Sequence, residues 1–90
     1  MNLKQIVGMN LKYYRYKNNK SQEKYYEALK LNPKYLASME RGEINFSVEY
    51  LEEIATSMGV TVNDLILYDE THIITKKRID EKLPLKEVQK

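Results

Sequence analysis

Residues 21–42, SQEKYYEALKLNPKYLASMERG, hold two helix starts and one helix stop, and this punctuation constrains the fold more than any other feature of the chain. Ser21 is a good N-cap, and Glu23 then falls in the first turn, where a negative charge meets the positive end of the helix dipole. Asn32-Pro33 is a second start, with asparagine as the cap and proline at the first helical position, where its missing N–H is no loss. Gly42 is a stop, because glycine readily takes the left-handed conformation that closes a helix. The stretch therefore reads as two short helices joined by a tight turn, one from Ser21 to about Leu29 and one from Pro33 to about Arg41.

The punctuation continues on both sides. Leu3, Val7, Leu11 and Tyr14 recur at helical spacing and give a first helix from about Asn2 to Lys17. Asn18-Asn19-Lys20 is a loop in which Asn19 suits a left-handed conformation. Tyr25 and Leu29 face inward on the second helix, Leu36 and Met39 on the third. Ser47 caps a fourth helix that carries Leu51, Ile54 and Ala55 inward and ends at Gly59. Thr61 caps a fifth, and Asp64 completes a capping box with it. An apolar residue just before a cap packs on the fourth helical residue, and Leu31 with Leu36, Phe46 with Leu51 and Val60 with Leu65 obey that rule. Lys20 breaks it for the second helix.

Five helices with short connections predict a compact all-α domain over residues 1–68. The composition then changes. His72-Ile73-Ile74-Thr75 is rich in β-branched residues, Lys76-Lys77-Arg78 is basic, and Pro84 interrupts any later helix. Residues 69–90 read as a short C-terminal extended arm, with a strand expected over 72–79 that either dimerises or frays. Ile73 and Ile74 need cover, from their own helices or from the same arm of a second chain.

Composition narrows the function. Ninety residues suffice for one helical domain, and the absence of cysteine removes disulfides and thiolate chemistry. That fits a cytoplasmic protein. The N-terminus MNLKQIVGMNLK lacks the apolar run of a signal peptide, and no stretch approaches the roughly 18 apolar residues of a membrane span. His72 is the lone histidine, with no cysteine or second histidine to complete a metal site, so no metal and no cofactor is expected. Glu49, Glu52 and Glu53 read as a solvated helix face, since no nucleophile accompanies them, and nothing favours an enzyme. Abundant Lys, Asn, Ile and Tyr, all with A/T-rich codons, hint at a low-GC bacterium or its phage.

The charge is unevenly spread. Residues 1–42 carry nine basic side chains against three acidic ones, whereas residues 43–70 carry seven acids and no base. One face for a polyanion and another held away from it would produce this pattern, and so would charge that merely coats a surface. Eight tyrosines invite a stacking platform for single-stranded nucleic acid, but such platforms need an open sheet or groove. The expected arrangement has Tyr14 and Tyr25 in or near the core, with Tyr13, Tyr16 and Tyr26 on helix surfaces.

Gly8 and Arg15, Ser21-Gln22-Glu23, Glu40-Arg41-Gly42, Ser47, Leu51, Ile54-Ala55, Gly59-Val60 and Asp64-Leu65 fall in ungapped register with one known pattern. On these residues the chain, from about Ile6 to Leu67, resembles the Xre-like helix-turn-helix family of phage repressors and Cro. The stretch YLASMERGEINFS is also similar to restriction–modification controller proteins. The resemblance implies a five-helix repressor-like domain that binds double-stranded DNA sequence-specifically as a homodimer, a repressor on a palindromic operator. Helix 33–41 would enter the major groove, and a helix of about nine residues is roughly 14 Å long, against a groove about 12 Å wide. Pro33, Lys34 and Ser38 lie opposite the inward pair Leu36 and Met39, and with Tyr35, which flanks this face, they are the four base-reading candidates. Gln22 matches the family's phosphate-bonding position, and Arg41, Asn45 and Ser47 surround the loop where the family meets the backbone again. Lys12, Lys17 and Lys20 add long-range attraction. The resemblance further implies an internal Arg15–Glu40 salt bridge. The expected dimer surface comprises Val62, Leu65, Ile66, Ile73 and Ile74.

Four positions depart from the family pattern. Tyr26 stands where a small residue is usual, Lys30 at the usual turn glycine, Lys20 at a usual leucine and Phe46 at a usual proline. The first two predict that the second and third helices cross more widely, or that the turn avoids positive φ. They also leave open an alternative in which the same fold is a protein-interaction module, an antitoxin or adaptor whose partner is another protein.

Overall fold

The second to fifth helices each start directly after the residue that the sequence marks as their cap. The computed structural model describes residues 1–73, which form α1 (Leu3–Lys17), α2 (Gln22–Ala28), α3 (Pro33–Glu40), α4 (Val48–Met58) and α5 (Val62–Ile66), followed by a short 3-10 turn, Glu70–His72. Among the described residues the fold is all-α. The caps of α2, α3 and α4 are Ser21, Asn32 and Ser47, each accepting backbone N–H bonds of the first turn. Thr61 and Asp64 cap α5 reciprocally, and Asn2 and Gln5 do the same for α1.

The stops share one geometry. At Gly42 (φ 71°) the N–H bonds to Met39 O and the next N–H to Ser38 O. At Gly59 (φ 74°) the same pair runs to Thr56 O and Ala55 O. Lys30 repeats it at the end of α2 with φ 62°, its N–H on Glu27 O and that of Leu31 on Tyr26 O. The turn therefore does not avoid positive φ, as the lysine had suggested it would. Lysine takes the conformation that glycine takes elsewhere, at a cost on the order of 1 kcal/mol. Asn19, with φ 58°, is the other left-handed non-glycine residue among those described.

α1 packs on α3 and α5, α2 on α3, and α4 on α5. Val7, Leu11, Tyr25, Tyr26, Leu31, Leu36, Met39, Leu51, Ile54, Ala55 and Leu65 form one core, with Phe46 and Val60 packed against it. Three expectations are corrected here. Tyr26 is fully buried and Tyr13 is buried, not on helix surfaces. Leu65 is fully buried in this core, so its side chain is not on a surface where a second chain could meet it; it faces inward with Val60 packed against the same core. Gly8 lies where α1 passes the end of α3. A Cβ there would meet the carbonyl oxygens of Met39 and Glu40 at 2.5 and 2.6 Å.

The segment after α5 turns back onto α1. The fully buried Asn10 donates through Nδ2 to Leu65 O (2.7 Å) and Leu67 O (3.0 Å). Its oxygen is thereby left as an acceptor for His72 Nδ1, 2.8 Å away, while the His72 ring stacks on Tyr13 at 3.7 Å. His72 thus belongs to a helical turn where an extended strand had been expected. Ile73 after it is extended (φ −71°, ψ 121°), and residues 74–79 of that strand, Ile74 included, lie outside the described residues.

Two substitutions test this framework. Lys30→Gly should raise stability by about 0.5–1 kcal/mol, seen as a higher melting temperature, by relieving the left-handed lysine. Gly8→Ala should lower it by several kcal/mol, since the obstructing atoms are backbone and cannot rotate aside.

Candidate nucleic-acid interface

The third helix is held at its C-terminal end by a buried carboxylate. Glu40 Oε2 accepts from Arg15 Nε at 2.8 Å and from the Tyr26 hydroxyl at 2.5 Å, while Oε1 accepts from Arg15 Nη2 and Gln22 Nε2, both at 2.9 Å. Arg15 also donates to Lys20 O. The carboxylate thus receives four donors, about as many as its lone pairs can serve. Burial pulls the Arg15 pKa down, but the hydrogen bond and charge of Glu40 outweigh it and the net shift is upward. Burial, then the charge of Glu40 and its hydrogen bond, push the Tyr26 phenol far above its ordinary value.

This network explains the unexpected tyrosine. Gln22 and Tyr26 are one turn apart on α2 and point the same way, so both reach Glu40. Sequence reasoning found the Arg15–Glu40 pair but missed these two partners. Their i, i+4 spacing on the helix facing Arg15 and Glu40 was the available signal.

The opposite end of α3 is open. Lys34 is exposed, with its backbone N–H held by the Asn32 cap, and Pro33 and Ser38 are half-buried beside it. Ser38 Oγ accepts from Arg41 Nη2 at 3.2 Å, and Arg41 Nε pairs with Glu43 at 3.0 Å. The Tyr35 hydroxyl donates to Asn45 O at 3.1 Å, and Tyr35 and Tyr50 meet edge to face. Pro33, Lys34, Tyr35, Ser38, Arg41 and Asn45 are therefore brought together on α3 and the loop after it. The Ser47 hydroxyl, at the end of that loop, accepts the N–H of Tyr50 as the α4 cap. Gln22 joins the group only through Glu40, to which its amide is turned.

Two other candidates lie on α1. Lys17 Nζ lies 5.7 Å from the centroids of both the Tyr13 and Tyr14 rings. Lys12 lines, with Arg41, Gln5, Met9 and His72, an open cleft of about 320 Å³ between α1, the end of α3 and the tail. Among the proposed dimer residues Val62 and Ile66 are half-buried and Ile73 is exposed. Leu67 and Tyr68, not singled out from the sequence, are the exposed apolar residues that follow α5. Among the described residues no group of three His, Cys, Asp or Glu side chains is placed to hold a metal ion.

The sequence matches a protein-family profile described as helix-turn-helix over residues 11–65, more than half of the chain. Comparison with curated proteins and with solved structures gives no match.

The buried network has two measurable consequences. Glu40→Ala should cost about 3–5 kcal/mol in a denaturant titration, because it strands a buried guanidinium, whereas Tyr26→Phe should cost about 1.5–3 kcal/mol. The pH dependence follows from the raised Tyr26 pKa. Its contribution is fully present below the ordinary phenol value of 10.0 and is lost as pH rises above it, because the unfolded phenol ionises first. Tyr26→Phe should therefore lose less stability than the wild type between neutral and strongly alkaline pH.

Proposed function

The chain belongs to the Xre/Cro-type helix-turn-helix family, a family of DNA-binding regulators, and from that membership we propose that it is a repressor that binds a palindromic operator as a homodimer. The observation that supports this most is the presentation of α3: its C-terminal end is locked by Glu40 while Lys34 stands exposed in its first turn. In the proposed complex Lys34 donates to guanine O6 or N7, Ser38 bonds a base edge and Pro33 meets a thymine methyl. Arg41, Asn45 and Ser47 grip phosphates around the loop after α3, and Lys12 and Lys17 attract the backbone from α1. Gln22, with one amide hydrogen on Glu40, offers its second to a phosphate at the start of α2.

A single short helix reads few base pairs, so specificity requires two half-sites about 34 Å apart. We assign the dimer contact to Val62, Ile66 and Ile73, extended by Leu67 and Tyr68. This contact keeps the acids of residues 43–70 largely away from the phosphates. The protein would act in the cytoplasm by excluding polymerase from its operator. Tyr26 and Lys30 favoured a protein-interaction module, but Lys30 takes the left-handed conformation of the usual turn glycine and Tyr26 bonds Glu40, and both observations support DNA as the principal partner.

Selection from random genomic fragments across a salt series tests this reading. A palindrome should be enriched, and affinity should fall steeply with salt. Tight capture of a protein partner without any sequence enrichment would instead favour the antitoxin or adaptor. Lys34→Ala should cost about 1–3 kcal/mol on the operator and much less on random DNA, whereas Lys17→Ala should weaken both alike. Equal losses on both DNAs for Lys34→Ala would remove it from base reading.

A further inference from the structure

We propose that Tyr35 is a positioning residue that fixes the loop after α3 against the reading helix, and so sets the offset between base contacts and phosphate contacts. The proposal rests on the DNA-binding reading above. From its place in the first turn of α3, beside Lys34, Tyr35 looks like a base reader. Its geometry gives it another task. The phenol has one proton, and that proton is committed to the carbonyl oxygen of Asn45, ten residues further on, at 3.1 Å. The ring meets Tyr50 edge to face, with centroids 5.1 Å apart and planes at 86°. Tyr50 stands in the first turn of α4, where its N–H is held by Ser47.

One side chain therefore bridges the first turn of α3, the middle of the loop and the first turn of α4. The start of the loop is tied separately, by the Glu43 N–H on Ser38 O. Asn45 and Ser47 are thereby held at a defined distance from Lys34 and Ser38. A phenylalanine would keep the ring against Tyr50 and lose only the tie to Asn45, which isolates the proposed role. Base readers and struts then differ in a measurable way. Losing a base reader weakens one sequence selectively, whereas displacing a phosphate-gripping loop weakens every sequence, because phosphates are the same in all of them.

The test is Tyr35→Phe in the full chain, with affinity measured on the selected operator and on a random duplex across a salt series. Amide hydrogen exchange of residues 43–47 is followed in the free protein. Both affinities should fall by the same factor, about three- to tenfold, with the specificity ratio unchanged. The slope of log affinity against log salt should become shallower by up to about one. Exchange at 43–47 should accelerate while core amides of α1 and α3 hold. A loss confined to the operator and traceable to one base pair would make Tyr35 a base reader and overturn the proposal. So would unchanged affinity and unchanged exchange. If the wild type shows no salt-dependent DNA binding, the DNA reading itself fails, and the exchange measurement still decides whether the tie exists.

Discussion

The fold turns on one carboxylate. Glu40 is the last residue of α3 and is almost wholly buried, a position that costs several kcal/mol for an ion unless its oxygens are fully engaged. Full engagement requires Arg15 from α1 together with Gln22 and Tyr26 from α2. Satisfying the charge therefore fixes three helices relative to one another. The glycine at position 8 serves the same crossing from the other side, since α1 approaches the carbonyls of Met39 and Glu40 too closely for any side chain. With its C-terminal end anchored in this way, α3 leaves Lys34 in its first turn exposed to solvent.

Tyr26 and Lys30 gain their meaning from this anchor. Each stands where a smaller residue is usual in the family, a substitution expected to widen the crossing of α2 and α3. The left-handed lysine costs on the order of 1 kcal/mol. A hydrogen bond from a phenol to a buried carboxylate contributes about 1.5–3 kcal/mol, and burial of the ring adds apolar stabilisation on top. The tyrosine outweighs the lysine, so the junction between α2 and α3 is braced more than it is strained.

The local chemistry of helix ends was legible in the sequence. Caps at Ser21, Asn32, Ser47 and Thr61 and stops at Gly42 and Gly59 are decided within four or five residues, and all occur where the sequence marks them. What was not legible depends on the facing of whole elements. Tyr13 is buried because the tail returns to stack His72 on it, a contact between residues far apart in the chain. Asn10 carries no sequence signal, yet it binds α1 to the carbonyls at the end of α5. Leu65 is the instructive case. The staple with Val60 turned it inward, while the search for a dimer surface turned it outward, and the local rule decided correctly. In the candidate interface the positions on α3 could be read from helical spacing, and the spacing of Gln22 and Tyr26 carried a signal for their bonds to Glu40, but the bond from Tyr35 to Asn45 across a loop could not be read.

The same contrast separates the two arginines that bracket the interface. Arg15 and Arg41 each pair with a glutamate at 3.0 Å or less. Arg15 and Glu40 have side chains 10% and 0% exposed, so exchanging that partner for water or phosphate would leave an unpaired charge in the interior. Arg41 and Glu43 are 53% and 54% exposed, a setting in which an ion pair contributes about 0–1 kcal/mol and is further weakened by salt. In the proposed complex a phosphate would displace Glu43 at little cost, and Arg41 would release Ser38 along with it. Burial thus assigns one arginine to architecture and keeps the other available for a partner, although both occupy the same kind of pair.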